Sequence, residues 1–434
     1  MVDSQGGDRP HRTTEIVNAG LKRRYRSERV FKLYGIAALA VAMGMLALLF
    51  VTIGTRGLPA FLQTYVTFDV VLAEDTIDPG RTRDPDVLST ANYQALVRQT
   101  LRDMFPDVSG RRNQRELYRL ISSGAPFDVR EMVMDNPSLI GSTVSVSVPM
   151  SADFDQFAKG HISRDVPEAD RRVSDQQIEW FDRLDQDGRV ELRFNANLFT
   201  HGDSREPEMA GIWGAVVGSF YTLLITMALS FPIGVAAAVY LQEFAPKNRW
   251  TDIIEVNINN LAAVPSIVFG LLGLAMFLNF FGLPRSAPLV GGLVLSLMTL
   301  PTVIIASRAA LMSVPPSIRE AALGLGASQL QVITHHVIPL AVTGMLTGTI
   351  IGMARALGES APLLMIGMVA FIVDIPQGPM DPATVLPVQI YLWADAPERA
   401  FVERTSAAVL VLLAFLILMN GLAVWLRNKF ERRW

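Results

Sequence analysis

Long hydrophobic runs alternate with polar segments along this chain. A helix needs about 20 apolar residues to cross the hydrocarbon core of a bilayer. Six stretches meet that requirement, at residues 33–53, 212–241, 261–281, 288–312, 337–371 and 406–426. The pattern predicts a mainly α, polytopic membrane protein with six transmembrane helices, the first of which is well separated from the other five.

The segment 56–209, between the first two predicted spans, has the patterns of a folded domain. Apolar residues recur there at helical spacing, at Tyr93, Leu96, Val97, Leu101 and Met104. A half-buried strand is indicated by alternating valines, Val144, Val146 and Val148. Residues 189–195 alternate again, and Ser174 with Gln177 forms a capping box that predicts a helix start. We expect a small α+β domain, called the insert domain below.

Basic residues lie at both ends of the chain. Six of them precede the first predicted span, at Lys22, Arg23, Arg24, Arg26, Arg29 and Lys32. Because basic segments beside membrane helices stay cytoplasmic, residues 1–32 are predicted to lie inside the cell. Residues 33–55 then form a retained first helix rather than a removable signal peptide. Six crossings return the basic tail, 428–434, to the cytoplasm and leave the insert domain outside the inner membrane.

Composition and motifs narrow the function classes. The chain has no cysteine, which excludes disulfides and thiolate catalysis, and its net charge of −3 argues against a nucleic-acid partner. It lacks a phosphate-binding loop of the GxxxxGK[ST] type and the motifs of zinc proteases and serine hydrolases. We therefore expect no catalytic residue, metal or cofactor in this chain, so that any ATP is hydrolysed by another subunit.

One segment of the insert domain partly resembles a calcium-binding loop. Asp182, Asp185, Asp187 and Gly188 have the residue types of such a loop. The calcium pattern needs acidic or amide residues at alternate positions before the glycine and a glutamate six residues after it. Arg183 and Phe194 occupy two of those positions. We interpret the segment as a solvated helix end that leads into a turn.

A polar loop at 314–339 separates the fourth and fifth predicted spans. Two prolines block continuation of the fourth span, and Ser317 with Glu320 has the spacing of a capping box, so a new helix is predicted there. Glycines 324 and 326 are expected to end that helix. A second capping box, Ser328 with Gln331, starts another one. The prediction is a helix–turn–helix at the cytoplasmic membrane surface, in which Glu320 serves either as a cap or as a contact for another protein.

This loop resembles the coupling loop of ABC importer permeases. The family pattern is Glu-Ala-Ala, three residues, Gly, nine residues, Ile, one residue and Leu-Pro. Five residues match it in register, Glu320, Ala321, Ala322, Gly326 and Pro339. His336 and Ile338 replace the Ile and the Leu. The resemblance implies that the loop binds an ATP-binding subunit, whose motions then move the membrane helices.

Four segments, one of them within this loop, together resemble phosphate-specific permeases of the PstA type. They lie at residues 261–273, 299–311, 314–328 and 354–364, and the resemblance covers most of 211–434, which includes the predicted permease domain at 210–427. It implies a type I ABC permease core that transports phosphate without being an enzyme itself. The implied partners are two copies of an ATP-binding subunit, a homologous second permease and an extracytoplasmic phosphate-binding protein. The resemblance implies no role for the insert domain.

A charged pair lies within the fifth predicted span. Arg355 and Glu359 are four residues apart, so they would share a helix face about 6 Å apart. Ionisable residues inside a membrane normally face a bundle interior or a water-filled path. We predict that both line the translocation path, where Arg355 meets an oxyanion, with Ser360 as a weaker candidate. The alternative is a structural ion pair that holds two helices together.

Two other functions remain open from the sequence. The first keeps the importer class and changes the cargo to another oxyanion, sulfate or molybdate, which Arg355 would serve equally well. The second is a membrane receptor or scaffold whose insert domain senses an outside ligand. The receptor hypothesis leaves the intramembrane Arg–Glu pair unexplained.

Overall fold

The computed structural model describes residues 9–369 and 371–430. Residues 1–8 of the predicted cytoplasmic segment, residue 370 of the fifth predicted span and residues 431–434 of the basic tail lie outside that range. The chain divides into two compact units, Met1–Thr55 and Arg56–Trp434. The described residues of the first unit all belong to one helix, α1 (Arg9–Gly57), which contains the first predicted span. Its long apolar side chains are exposed, as expected of a helix whose solvent is lipid.

The insert domain is built on a three-stranded antiparallel sheet. Its strands are β1 (Leu62–Val71), β2 (Thr143–Pro149) and β3 (Val190–Phe194), in the order β2-β1-β3. The central strand, β1, pairs Val66 with Val148 and Leu62 with Phe194. Both flanking strands were predicted from their alternation, whereas β1 was not. The same alternation is present in β1, where the fully buried Val66, Phe68 and Val70 are separated by Thr67 and Asp69.

Short helices cover the buried face of this sheet. They are α2 (Glu74–Ile77), α3 (Pro85–Thr90), α4 (Tyr93–Met104), α5 (Arg111–Tyr118), α6 (Ala125–Asp135), α7 (Ala152–Ala158), α8 (Asp175–Gln186) and α9 (Asn197–Thr200). The predicted helix at 93–104 is confirmed, and so is the capping box of Ser174 and Gln177 at the start of α8. The α+β prediction for this segment is therefore confirmed.

The partial calcium motif lies at the end of α8. Asp187 follows the last helical residue, and Gly188 adopts φ +68°. Asp182 accepts two hydrogen bonds from the Arg164 guanidinium, at 2.6 and 2.7 Å, which lower the pKa of its carboxyl. The interpretation as a helix end that leads into a turn is confirmed.

The helical part contains the remaining elements of the described chain. They are α10 (Trp213–Val239), α11 (Arg249–Ala262), α12 (Ser266–Gly273), α13 (Pro288–Met312), α14 (Pro316–Gly324), α15 (Gln329–Gln331), α16 (Ile338–Gly358), α17 (Ala361–Met365), α18 (Leu386–Ala394) and α19 (Ala400–Phe430). Five described helices are long and apolar enough to cross a membrane, and a bent pair of helices makes a sixth if it counts as one span. The predicted set of six is consistent with that result.

The third predicted span is not a straight helix. Residues 261–281 begin at the end of α11, and the chain then turns by 102° before α12 and its π-helical extension, Leu274–Phe280. Pro265 forms the cap of α12. Since proline lacks the N–H that an interior helical position needs, the helix breaks there. The span predicted at 261–281 is therefore a bent pair of helices in the structure.

The fifth predicted span, 337–371, was also misplaced at both ends. One helix of 30 residues, Gln329–Gly358, runs through α15, a π-helical turn at Val332–Val337, and α16. It ends 13 residues before the predicted limit, and the chain then forms the short helix α17. The apolar stretch misled the prediction because hydropathy continues through α17 after the backbone has left the helix.

Small residues bring the long helices into close contact. A Cβ added at Gly344 would lie 2.6 Å from the Ala310 Cβ, and one at Gly292 would lie 2.6 Å from Ile225. An added Cβ at Gly348 would overlap Ala306. Membrane helices associate through such close packing, because lipid leaves little hydrophobic drive between them. These glycines hold α13 against α10 and α16 and so fix the position of the loop that joins α13 to α16.

Candidate functional site

The predicted coupling loop begins with the helix α14. Its cap is Pro315, with Pro316 at the first helical position, and Ser317 makes no capping hydrogen bond. Proline suits the first turn, because its fixed φ is helical and its missing N–H would be unpaired there anyway. The predicted capping box of Ser317 and Glu320 is therefore wrong.

Glu320 lies on the exposed side of α14. Among the described residues its carboxylate takes part in no hydrogen bond or ion pair. Ala321 is also exposed, whereas Ala322 is 7% exposed and packs into the core beneath the loop. Leu325 follows the helix with 91% of its surface exposed. The loop thus presents a free carboxylate and an apolar side chain at one end of the helical bundle.

A glycine ends the first helix of the loop as predicted. Gly326 adopts φ +88°, a conformation that glycine reaches without the steric cost of a Cβ. Gly324 is still the last helical residue, and Leu325 is the cap, so only one of the two glycines acts as a terminator. The capping box of Ser328 and Gln331 is confirmed.

The second half of the loop differs from the prediction. Its helix is not a separate surface helix, because α15 continues through the π-helical turn into α16. Pro339 therefore does not stop a helix; it lies in the first turn of α16 within a continuous rod. A π-helical turn is a common way to accommodate a residue that cannot donate to the regular ladder. The second half of the loop, from Gln329, is consequently part of the same helix as the fifth span.

Two residues that the sequence analysis missed fasten the loop to the bundle. The Arg319 guanidinium lies 2.8 Å from a Glu243 carboxylate oxygen, in the π-helical turn Tyr240–Phe244 that continues α10. It also donates hydrogen bonds to the carbonyls of Val314 at 2.7 Å and Leu311 at 2.9 Å. The Leu311 carbonyl lies in the last turn of α13 and also accepts from the Val314 N–H, whereas the Val314 carbonyl follows the helix. Arg319 therefore joins α10, α13 and α14 at one point.

The predicted charged pair lies at the end of α16. Arg355 is in the last turn and Glu359 is the cap residue with extended backbone, so the two do not share a helix face as predicted. Their side chains still meet, with the Arg355 Nε 3.6 Å from a Glu359 carboxylate oxygen. The Arg355 side chain is 52% exposed. A cation at this position is also favoured by the negative end of the helix dipole.

Ser360 follows the charged pair directly. It is the cap residue of α17, and its backbone carbonyl accepts hydrogen bonds from the N–H groups of Leu363 and Leu364. Its side chain makes no capping hydrogen bond and is partly exposed. The three predicted path residues are thus brought together, at a helix break rather than along one helix.

A second group of charges connects the insert domain to the start of α19. Lys159 lies 2.7 Å from both the Asp155 and the Glu403 carboxylates, and all three side chains are 5–7% exposed. The Gln156 amide donates a further hydrogen bond to Glu403. We call Asp155, Gln156, Lys159 and Glu403 the docking cluster. No local pattern indicates this cluster, because Glu403 is 244 residues from Lys159.

The bundle of apolar helices with a protruding polar loop is the arrangement of a membrane transport subunit. Residues 230–434 match the family described as "Binding-protein-dependent transport system inner membrane component". The match includes α13, the loop, α16 and α19.

Curated relatives agree with this class. The chain is 33% identical to the probable ABC transporter permease protein YqgI of Bacillus subtilis, over 51% of this chain and 80% of that protein. It is 30% identical to the phosphate transport system permease protein PstA of Haemophilus influenzae, over 52% of this chain and 78% of that one. Identity to PstA 1 of Mycobacterium tuberculosis is 32%, over 51% and 72%. The chain therefore belongs to the binding-protein-dependent ABC transporter permeases, within the PstA type.

The insert domain falls largely outside these similarities. Residues 18–168 match a domain of unknown function (DUF3333). That match ends before α8 and β3, although β3 completes the sheet with β1. The folded unit therefore extends beyond the matched residues.

Proposed function

We propose that this chain is the membrane-spanning permease subunit of an ATP-driven importer that moves inorganic phosphate across the cytoplasmic membrane. The observation that carries the proposal is the similarity to permeases named for phosphate transport, over 78% and 72% of their lengths. An extracytoplasmic phosphate-binding protein delivers the phosphate, and a homologous second permease completes the path. Two copies of an ATP-binding subunit hydrolyse the ATP.

The loop 314–339 is the proposed contact for the ATP-binding subunit. Its exposed surface combines the carboxylate of Glu320 with the apolar side chain of Leu325, a mixture typical of protein interfaces. The second half of the loop is continuous with α16, and Arg319 of α14 pairs with Glu243 after α10, so a movement of the loop reaches both helices. Closure of the ATP-binding subunits would in this way switch the permease between inward-open and outward-open states.

We propose that phosphate contacts Arg355 while it crosses the membrane. Arg355 and Ile351 are one turn apart on α16, and both are exposed within this chain. An uncovered charge among apolar helices is costly, so such residues normally face another protein surface or water. A second permease would supply the protein surface, and an aqueous translocation path would supply the water. The guanidinium offers a planar set of donors that suits an oxyanion, and Glu359 keeps it oriented without closing the site.

Replacing Arg355 by alanine tests this role. We expect ATP-driven phosphate uptake to fall by about tenfold or more, because one charge-assisted hydrogen bond contributes roughly 1.5–3 kcal/mol. The measurement is uptake of radiolabelled phosphate by vesicles that contain this chain with its second permease and ATP-binding subunit.

Two controls separate transport from structure. Arg355→Lys keeps a cation at the helix end but loses the planar donor set, so a purely structural role predicts normal uptake by this variant. Competition by excess sulfate tests the cargo. Full uptake by an Arg355→Ala variant that assembles normally would remove Arg355 from the path, and equal competition by sulfate would broaden the substrate class.

The orientation can be tested because the chain contains no cysteine. A single cysteine at Leu325→Cys would lie on the exposed loop, and one at Val166→Cys on the insert domain. With the termini and the loop in the cytoplasm, a membrane-impermeant maleimide is expected to label the Val166→Cys variant in intact spheroplasts and to label Leu325→Cys only after lysis. The reverse pattern would contradict the proposed topology.

A further inference from the structure

The insert domain contains a cavity that the proposed transport cycle does not use. Its volume is about 450 Å³, within the range of small-molecule sites, which is about 300–1,000 Å³. It lies among α4, α5, the segment before α8 and the segment that leads to α10. Four arginines line it, Arg98, Arg115, Arg119 and Arg172. The whole insert domain is acidic by contrast, with 26 Asp and Glu against 18 Lys and Arg in residues 56–209.

Two of these arginines have carboxylate partners. Arg119 lies 3.1 Å from Glu116, and Arg172 lies 3.7 Å from Asp153. Arg98 and Arg115 are paired with no carboxylate in the part of the chain that the structure describes. The cavity is therefore lined by two exposed guanidinium groups that form no ion pair, although Asp153, Glu206 and Glu208 also lie in its wall.

The two unpaired guanidinium groups come from different helices, α4 and α5, and both line the cavity beside Tyr118. The Arg98 guanidinium stacks over Tyr118, with 5.2 Å to the ring centroid. Arg115 is three residues before Tyr118 in α5, so both project from the same side of that helix. Two like charges that line one cavity together attract an anion more strongly than either does alone. The arrangement is suited to an oxyanion that accepts hydrogen bonds from both guanidinium groups.

The rest of the lining has a different character. Apolar side chains form part of the wall, Val97, Leu101, Phe154 and Val173. Glu206 and Glu208 add carboxyl groups on the side of the segment that leads to α10. Glu208 is 2% exposed, and its Oε2 has no hydrogen-bond partner within the described chain. Burial raises the pKa of Glu208, so its carboxyl takes up a proton more readily than a free glutamate and can then act as a donor.

We propose that this cavity binds the phosphoryl group of an organic phosphate, held between Arg98 and Arg115. A phosphoryl group has three oxygens and about two negative charges, which match two guanidinium forks from separate helices. The apolar wall contacts the organic part of the ligand, which a bare phosphate ion does not have. The ligand is either a soluble phosphate monoester or a phospholipid headgroup, since both carry this chemistry. The site is independent of the transported cargo.

Hydrogen–deuterium exchange of the purified full-length chain tests the proposal, because it locates binding in the sequence. The probes are glycerol 3-phosphate, inorganic phosphate, and phosphatidylcholine vesicles with and without phosphatidic acid. We expect saturable protection of residues 93–118 by glycerol 3-phosphate, by phosphatidic acid or by both. Arg98→Gln and Arg115→Gln should each weaken this binding by about tenfold or more. The matched control is Arg111→Gln, which removes an exposed arginine of α5 outside the cavity.

The possible outcomes are distinct. Protection by glycerol 3-phosphate alone identifies a soluble ester, and protection by phosphatidic acid alone identifies a lipid headgroup; both support the site. Protection by inorganic phosphate without either organic probe overturns the proposal. So does the absence of saturable protection, or an equal loss in the Arg111→Gln control. Each variant is compared at an unchanged thermal unfolding temperature, so that misfolding is not mistaken for lost binding.

Discussion

Replacing Lys159 by methionine is expected to lower the free energy of unfolding by about 3–5 kcal/mol. Methionine keeps most of the length of the stem but removes the cation, which leaves Asp155 and Glu403 buried together without it. The two carboxylates lose the cation that pairs with both, in a buried site where they repel each other and lack the solvation of the unfolded chain. The buried Arg404 and the Thr64 N–H remain as partners and offset part of this loss. The measurement is thermal unfolding of the detergent-solubilised chain, together with protease accessibility of the insert domain.

A surface pair provides the control for this effect. Arg193 and Glu191 form an ion pair with side chains that are 44% and 60% exposed. Removing an exposed cation such as Arg193 costs at most about 1 kcal/mol. If the Lys159→Met variant unfolds at the same temperature as the Arg193→Met variant, the docking cluster does not hold the insert domain to α19. A Lys159→Met/Glu403→Leu double variant should recover part of the loss, because it also removes one of the stranded charges.

Arg319→Ala is expected to uncouple ATP hydrolysis from uptake. The change leaves Glu243, which is 10% exposed, without its cation, and removes the donors to the carbonyls of Leu311 and Val314. Under the proposed function, the loop would still bind the ATP-binding subunit through Glu320 and Leu325 but would no longer move α10. We expect the phosphate transported per ATP hydrolysed to fall at least about tenfold, which corresponds to about 1.4 kcal/mol of lost coupling.

An arginine outside the loop provides the control for Arg319. Arg249 is an exposed cation at the start of α11, and Arg249→Ala should leave the ratio of transport to hydrolysis unchanged. Both variants are measured in proteoliposomes with the second permease and the ATP-binding subunit. An Arg319→Ala variant with a normal ratio would show that the anchor does not transmit movement. Loss of hydrolysis itself, with no subunit bound, would instead indicate that Arg319 shapes the binding surface.

Hydropathy was sufficient to locate the membrane part of the fold. The runs at 212–241, 288–312 and 406–426 correspond to α10, α13 and α19, because apolar residues in a span must cover the whole helix surface. It could not locate breaks within an apolar run. Residues 261–281 and 337–371 stay hydrophobic across the bend at Pro265 and the end of α16 at Gly358. Hydropathy depends only on residue type, so it carries no information about where the backbone changes direction.

The candidate site was predicted where its signals are local. The box of Ser328 and Gln331 and the turn at Gly326 follow from spacings of a few residues. The contacts that fix the site are not local. Arg319 meets Glu243 across 76 residues, and Lys159 meets Glu403 across 244. At Pro315 a local signal misled the prediction, since proline itself took the cap position that was assigned to Ser317.

The docking cluster also sets an order for biosynthesis. Asp155 and Lys159 are made early, within a domain whose core is formed by residues 66–184, whereas Glu403 follows Lys159 by 244 residues. Until α19 is inserted, the two early residues can pair with each other but face water instead of Glu403. A chain interrupted before residue 403 therefore displays an open, charged surface on an otherwise finished domain. Completion of the docking cluster distinguishes a fully inserted subunit from a truncated one.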